Sequence, residues 1–218
     1  MSRRRAILIS VSGIDGSGKT TQIELLDDRV KKEKSKVSIV WSRWRPISSL
    51  PLLTLMRWLG YSQTYATSSI GFVETRLSNK RGLSSLWCFL TQLDNLMKTG
   101  VKVGVPLLLG RTVICDRYTL DLLVENMADL HDPSSRRRLG HRLLSLLPRP
   151  DAALLLEVDP AVAYKRKPDM PTVSHFVERA KLYHEMSGRL RVHRIDGSLP
   201  VPVVHEKIWS CVSPTLEY

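Results

Sequence analysis

Near its start the chain carries Gly13-Ile14-Asp15-Gly16-Ser17-Gly18-Lys19-Thr20-Thr21. Gly13, Gly18, Lys19 and Thr20 fall on the spacing G-x-x-x-x-G-K-[ST], and the chemistry of that spacing is phosphate binding. Glycines admit positive φ and let successive backbone N–H groups approach oxygen anions. The lysine adds a point charge for the terminal phosphates, and the hydroxyl after it suits Mg²⁺. A following helix turns its positive dipole end toward the bound anion. The expected ATP and phosphate contacts are therefore Gly13, Asp15, Gly16, Ser17, Gly18, Lys19, Thr20 and Thr21. A random chain of this size matches the pattern in roughly 1 case in 100. Context sharpens it: the apolar run Ala6-Ile7-Leu8-Ile9-Ser10-Val11-Ser12 precedes it, and a helix-periodic stretch with Ile23, Leu25, Leu26 and Val30 follows. Strand, loop, helix is the setting that a phosphate-binding loop requires.

A second acidic position completes a metal site. Asp116 follows the apolar run Val113-Ile114-Cys115. An aspartate at the end of a buried strand can share Mg²⁺ with the loop hydroxyl of Thr20, directly or through water. Cations are expected at neighbouring strand ends: Arg43 and Arg45 after the second strand, Arg117 after the third, and Lys165, Arg166 and Lys167 one helix beyond the fourth. In open parallel sheets ligands sit outside the carboxyl ends of the strands. A guanidinium there matches a phosphate with two parallel contacts. Such cations suit an acceptor that is itself a phosphate. A phosphate monoester is largely a dianion at neutral pH and needs positioning and charge neutralisation but no general base. A hydroxyl acceptor would call for a base carboxylate, and Asp15 is the candidate.

The elements that must position these residues alternate. Strands are expected over 6–12, 36–42, 111–118, 151–158 and 190–196, and helices over 19–34, 82–100, 119–130, 134–147, 171–188 and 201–212. A further helix starts at Asp159-Pro160, with the aspartate as N-cap and proline in the first turn. Residues 52–81 show no clean period. The helix over 82–100 is expected to bury Leu86, Phe89, Leu90, Leu93, Leu96 and Met97. Apolar strands joined by helices imply a five-stranded parallel sheet covered on both faces, an α/β/α P-loop architecture. With 218 residues and no linker or repeat, one α/β domain over 1–218 is the economical reading. Pro168 and Pro171 bound a short basic lid around 165–172.

Composition narrows the setting. The formal charge is +12, which admits nucleic acid, anionic membranes or phosphorylated small molecules. The basic clusters read as solvated faces, and no RNA-recognition signature, zinc spacing or basic zipper stands among them. Nucleic acid is not an expected partner. No stretch reaches the roughly 18 apolar residues of a membrane span. The basic-then-apolar start imitates a signal peptide, but cleavage there would destroy the strand feeding the loop. Cys88, Cys115 and Cys211 are odd in number and lack C-x-x-C spacing, which points to a reducing, cytoplasmic setting.

Together, "GIDGSGKTTQ", "CDRY" and "EVDPAVAYKRKPDM…FVERAKLYHEM…RIDGS" resemble thymidylate kinase, in its archaeal or short-lid branch. The resemblance implies transfer from MgATP to dTMP, giving dTDP, and a homodimer. It implies that Asp15 meets the acceptor sugar, that Arg43 or Arg45 and Arg117 hold the acceptor phosphate, and that Tyr118 lines the sugar site. It implies Phe89 against the base, with Gln92 nearby at the acceptor. The catalytic set it implies is Lys19, Arg117, Arg166 and Asp15, with Arg166 supplying the lid cation that Ser17 does not. Two departures stand out. Gln92, Asp94 and Asn95 occupy the region of the family's base-reading arginine, and Asp121 and Glu125 stand where a serine and a second aromatic exclude a 2′-hydroxyl. The alternative readings are another P-loop small-molecule kinase, for a nucleoside or a sugar, and a nucleotide-binding switch or ATPase that transfers nothing.

Overall fold

The computed structural model describes residues 5–33, 36–41, 50–60, 62–67, 70–75, 81–128, 144–167, 173–188 and 190–216. The glycine-rich loop leaves the central strand of its sheet. That strand, β1 (Leu8–Ser12), is buried at every position. It is flanked in parallel by β5 (Thr112–Asp116) and β6 (Ala152–Glu157), with β2 (Val37–Trp41) and β7 (His193–Asp196) at the edges. The order β2-β5-β1-β6-β7 brings the chain back across β1 between β5 and β6. Its carboxyl end is therefore the switch point at which such sheets bind ligands.

Alternation along β1 builds two cores. Ile7, Ile9 and Val11 face α1 (Lys19–Glu33) and α7 (Val201–Leu216), packing on Ile23, Leu26, Val30, Val204, Ile208 and Val212. Leu8 points the other way, with Val113 and Cys115, onto Val103 of α3 (Arg81–Leu108) and Leu122 and Leu123 of α4 (Thr119–Ala128). Beside that second core, α5 (Pro160–Arg166) and α6 (Val173–Ser187) add Ala163, Phe176, Tyr183 and Met186. Three layers result, α/β/α, as the strand pattern predicts. Continuous apolar runs buried on both faces belong to parallel sheets. Asp159 caps α5 as expected, accepting from the backbone N–H groups of Ala161 at 2.8 Å and Val162 at 3.4 Å.

Three expectations need correction. The stretch without a clean period contains α2 (Leu50–Trp58) and an antiparallel hairpin, β3 (Ser62–Thr67) with β4 (Ile70–Thr75), separate from the main sheet. Helix α3 does not stop at Gly100; it runs to Leu108, with Pro106 in its last turn. The buried Val103 lies beyond the glycine, so tertiary burial outweighs the local stop signal. Its apolar residues are also split: Leu96, Val103 and Leu107 pack on the core, but others that were expected inside are not. Leu86, Phe89, Met97, Val101, Val105 and Leu108 are exposed, whereas Gln92, Asp94, Asn95 and Thr99 are buried. The helix expected over 134–147 lies outside the described residues except for its end at Leu144 and Leu147, which are buried. No described helix is long and apolar enough to cross a membrane.

Candidate functional site

Beyond Ser12 the backbone turns into the loop, with Gly13 at φ 146°, Gly16 at 79° and Gly18 at 90°. Two of these glycines are also demanded by close approach. A Cβ on Gly13 would lie 2.6 Å from the Leu156 carbonyl oxygen, and one on Gly16 only 2.5 Å from that of Ala163. The loop is thus clamped between the end of β6 and helix α5. Lys19 is buried, and its ammonium donates to the carbonyls of Gly13 at 2.9 Å and Ile14 at 2.8 Å. Ser17 is buried beside it, while Gly18, Thr20 and Thr21 are exposed on the first turn of α1. Burial and then the nearby Arg117 charge lower the Lys19 pKa to about 8, against the pull of Asp15, Asp121 and Asp116.

Asp116 ends β5, in register with Val11 of β1. Its Oδ1 is buried and has no hydrogen-bond partner among the described residues. Burial raises its pKa, opposed by Lys19 and Arg117. A carboxylate oxygen left without a donor and a threonine hydroxyl in the first turn of α1 are hard oxygen donors, the kind that Mg²⁺ takes alongside substrate phosphates. Thr20 and Asp116 fit that ion.

Next in the chain, Arg117 has φ 69°, the one positive φ on a non-glycine residue among those described. Such a conformation costs about 1–3 kcal/mol and persists only where the surroundings over-determine it. Here they do. The Arg117 guanidinium pairs with the Asp15 carboxylate of the loop, and its other Nη lies 3.8 Å from Asp121. Asp121 is itself fully buried. It accepts from Ser12 Oγ at 2.6 Å and the Tyr118 N–H at 2.9 Å through Oδ2, and from Tyr183 Oη at 2.7 Å through Oδ1. Burial opposes the charge on Arg117, but the oxygens of Tyr183, Asp15, Asp121 and Glu125 outweigh it and raise its pKa. For Asp15, burial works to raise the pKa and is overcome by Arg117, Lys19, Lys167 and Arg179, so it falls below the usual carboxylate range.

The other expected residues divide. Arg43 and Arg45 lie outside the described residues. Tyr118 is wholly buried and its hydroxyl donates to the Pro148 carbonyl at 2.8 Å. That is a correction: the side chain is core, committed to packing rather than to a sugar site. Phe89 is half-exposed on α3, and Gln92 is buried with Oε1 unpartnered among the described residues. Neither lines the narrow pocket beside Asp15 and Arg117. Asp121 does not face that pocket either, since its oxygens are spent on Ser12, Tyr118 and Tyr183. Arg166 leans on the loop from outside, with Nη1 3.4 Å from the Gly16 carbonyl and 3.5 Å from that of Gly197. Residues 168–172 of the expected lid lie outside the described residues.

The pocket beside Asp15 and Arg117 has room for about one water molecule and is completed by Ile14, His175, Phe176, Arg179 and Tyr183. The last four come from α6, which the motif spacing did not single out. One signal was available: His175, Arg179 and Tyr183 recur every four residues and so share one helical face. No protein-family model matches the chain.

Proposed function

We propose that the chain is a nucleoside-monophosphate kinase, moving the γ-phosphoryl group of ATP onto a nucleoside monophosphate, with dTMP the first acceptor to try. The observation that carries this reading is the Asp15–Arg117 pair. It sets a partly buried, backbone-strained guanidinium next to the glycine-rich loop, and a guanidinium held at such cost serves an anion of its own.

On this reading, backbone N–H groups of the loop and Lys19 hold the donor phosphates. Arg117 holds the acceptor phosphate with its oxygen in line with the γ-phosphorus. That oxygen forms the new P–O bond as the bond from the γ-phosphorus to the β–γ bridging oxygen breaks, and ADP leaves with the bond's electron pair. A dianionic acceptor gives up no proton in the step, so no base is needed. Thr20 and Asp116 would hold Mg²⁺, which when bound neutralises charge on the donor phosphates. Arg166, at the end of α5 against the loop, is the cation for the moving group once the lid closes.

A hydroxyl acceptor is less well served. Its base would be Asp15, and a carboxylate engaged by Arg117 with its pKa lowered is a poor proton acceptor. A homodimer belongs to the same proposal. The outward row of Leu86, Met97, Val101, Val105 and Leu108 on α3 is the face it would bury, and sedimentation analysis reads it directly. A cytoplasmic, reducing setting is likewise proposed, from the cysteine pattern.

The test is ADP release from MgATP across nucleoside monophosphates and the matching nucleosides. Stimulation by one or more monophosphates and by no nucleoside is the expected result. Stimulation by nucleosides alone would transfer the proposal to a nucleoside kinase.

A further inference from the structure

Helix α6 turns three polar side chains toward the Asp15–Arg117 pair, and they are not alike. Tyr183, nearest its C-terminal end, is spent: its hydroxyl donates to the buried Asp121 at 2.7 Å. That bond ties α6 to the carboxylate that also holds Ser12 of β1 and the start of α4. One and two turns earlier, Arg179 and His175 line the same pocket. Arg179 Nε and His175 Nε2 are both buried, and neither has a hydrogen-bond partner among the described residues. Nitrogens removed from water and left unpaired are rare in folded proteins, and each needs a reason. The charge around them supplies one. The pocket wall holds two guanidiniums, Arg117 and Arg179, and one carboxylate, Asp15, which is already paired with Arg117.

We propose that Arg179, with His175 beside it, forms a second wall of the acceptor site and binds the acceptor's phosphate dianion opposite Arg117, with Tyr183 and Asp121 as positioning residues that set its reach. This rests on the acceptor being a phosphate monoester, as argued above. The pocket itself is water-sized, so the phosphate sits at its mouth, between the two guanidiniums. Arg179 presents Nε and a terminal nitrogen as a fork, the geometry that takes two oxygens of one phosphate. His175 Nε2, on the same helical face, reaches a third oxygen or the ester oxygen.

Calorimetric titration of the whole chain with dTMP, thymidine, MgADP and inorganic phosphate tests this, with transfer to dTMP followed in parallel. Arg179→Met keeps the stem and removes the fork. It is expected to weaken dTMP and inorganic phosphate by about 10- to 100-fold, the range for a lost charged hydrogen bond, and to leave MgADP unchanged. Arg179→Lys should fall between, and a thermal melt of each variant checks the fold. Tyr183→Phe should raise the acceptor KM several-fold with kcat unchanged, an effect that a merely structural loss, felt by both substrates, would not produce. If Arg179→Met and Arg179→Lys bind dTMP within twofold of the wild type, the inference is overturned and the kinase reading stands. If the wild type transfers nothing to dTMP or to any other nucleoside monophosphate, yet Arg179→Met still loses inorganic phosphate, the kinase reading falls and the anion site stays. A wild type that binds neither dTMP nor inorganic phosphate overturns both.

Discussion

The two halves of the candidate site are made of different material. The half proposed for the donor is backbone: a loop pressed between Leu156 and Ala163, with the buried Lys19 tied to two loop carbonyls. The half proposed for the acceptor is side chain: Arg117 from the end of β5 and Tyr183, Arg179 and His175 from α6 stand around Asp15, with Asp121 of α4 behind them, bonded to Tyr183. A backbone cradle depends on a few adjacent residues and on what touches them. A side-chain site depends on several helices standing in the right places, so it is the half that substitutions can retune without disturbing the other. If that division is correct, changes on one side leave the ligand of the other side almost untouched.

The largest effect is expected at Lys19. Lys19→Ala removes the cation that stabilises charge on the moving group, so kcat should fall by roughly 10³-fold, with dTMP binding near normal by calorimetry. Equal loss of both ligands would mean that the halves are one unit. Arg166→Ala comes next. Loss of a charge-stabilising contact made only in the transition state should lower kcat by roughly 10²-fold, with kcat/KM falling in step. Steady-state kinetics at wild-type level would remove Arg166 from the mechanism and leave it a surface contact of the loop.

Gly16→Ala tests the backbone half without touching charge. A Cβ there meets the Ala163 carbonyl at 2.5 Å on a residue with φ 79°. The left-handed conformation alone costs about 1–2 kcal/mol, and the clash adds to it. Chemical denaturation should show at least about 2 kcal/mol of lost stability, and ATP should bind more weakly. Unchanged values would mean that the clamp from α5 is loose. Arg117→Lys breaks the other half. Charge survives but the fork does not, so the acceptor KM should rise about 10-fold with the ATP Kd unchanged.

The smallest effect is in pH. Burial and the Arg117 charge lower Lys19 to about pH 8. Bound phosphates favour the charged form, so the bound state keeps the proton to higher pH. Below about 8 both states are protonated and affinity for ATP is level. Above it the free protein loses the proton first, so affinity declines, by up to 10-fold per pH unit. Folding runs the opposite way: a lowered lysine pKa costs stability below about 8, and the cost is relieved as pH rises toward 10.5, the ordinary value. Titrations from pH 7 to 9.5 check the binding limb, and Lys19→Ala should flatten it.

This contrast of materials also explains what could be read from the chain. The donor half was legible because it is local. Strand, glycines, Lys19 and helix lie within about two dozen consecutive residues, and each type has one conformational job. The parallel sheet was legible for the same reason, since runs such as Val113-Ile114-Cys115 carry the pattern of a strand buried on both faces. Helix α3 was not. A stretch rich in leucine implies core, but its Leu86, Phe89 and Met97 face outward and Gln92, Asp94 and Asn95 inward, a choice fixed by what surrounds the helix. Nor was the acceptor wall fully visible. Asp121 stood out only as a departure from a family pattern; nothing in the chain shows that it is bonded to Ser12, more than a hundred residues earlier, and to Tyr183, about sixty later. Tyr118 received a place at the sugar site from the family resemblance, whereas its side chain is wholly buried with the hydroxyl on the Pro148 carbonyl.

The central claim, that a phosphate moves between these two halves, is tested most directly by following the label from γ-³²P ATP with Mg²⁺ and dTMP. The account predicts label in dTDP at a rate equal to ADP formation, and transfer slowed by roughly 10³-fold in Lys19→Ala. Label that appears only as inorganic phosphate, at a rate indifferent to dTMP and to every other nucleoside monophosphate, would contradict it.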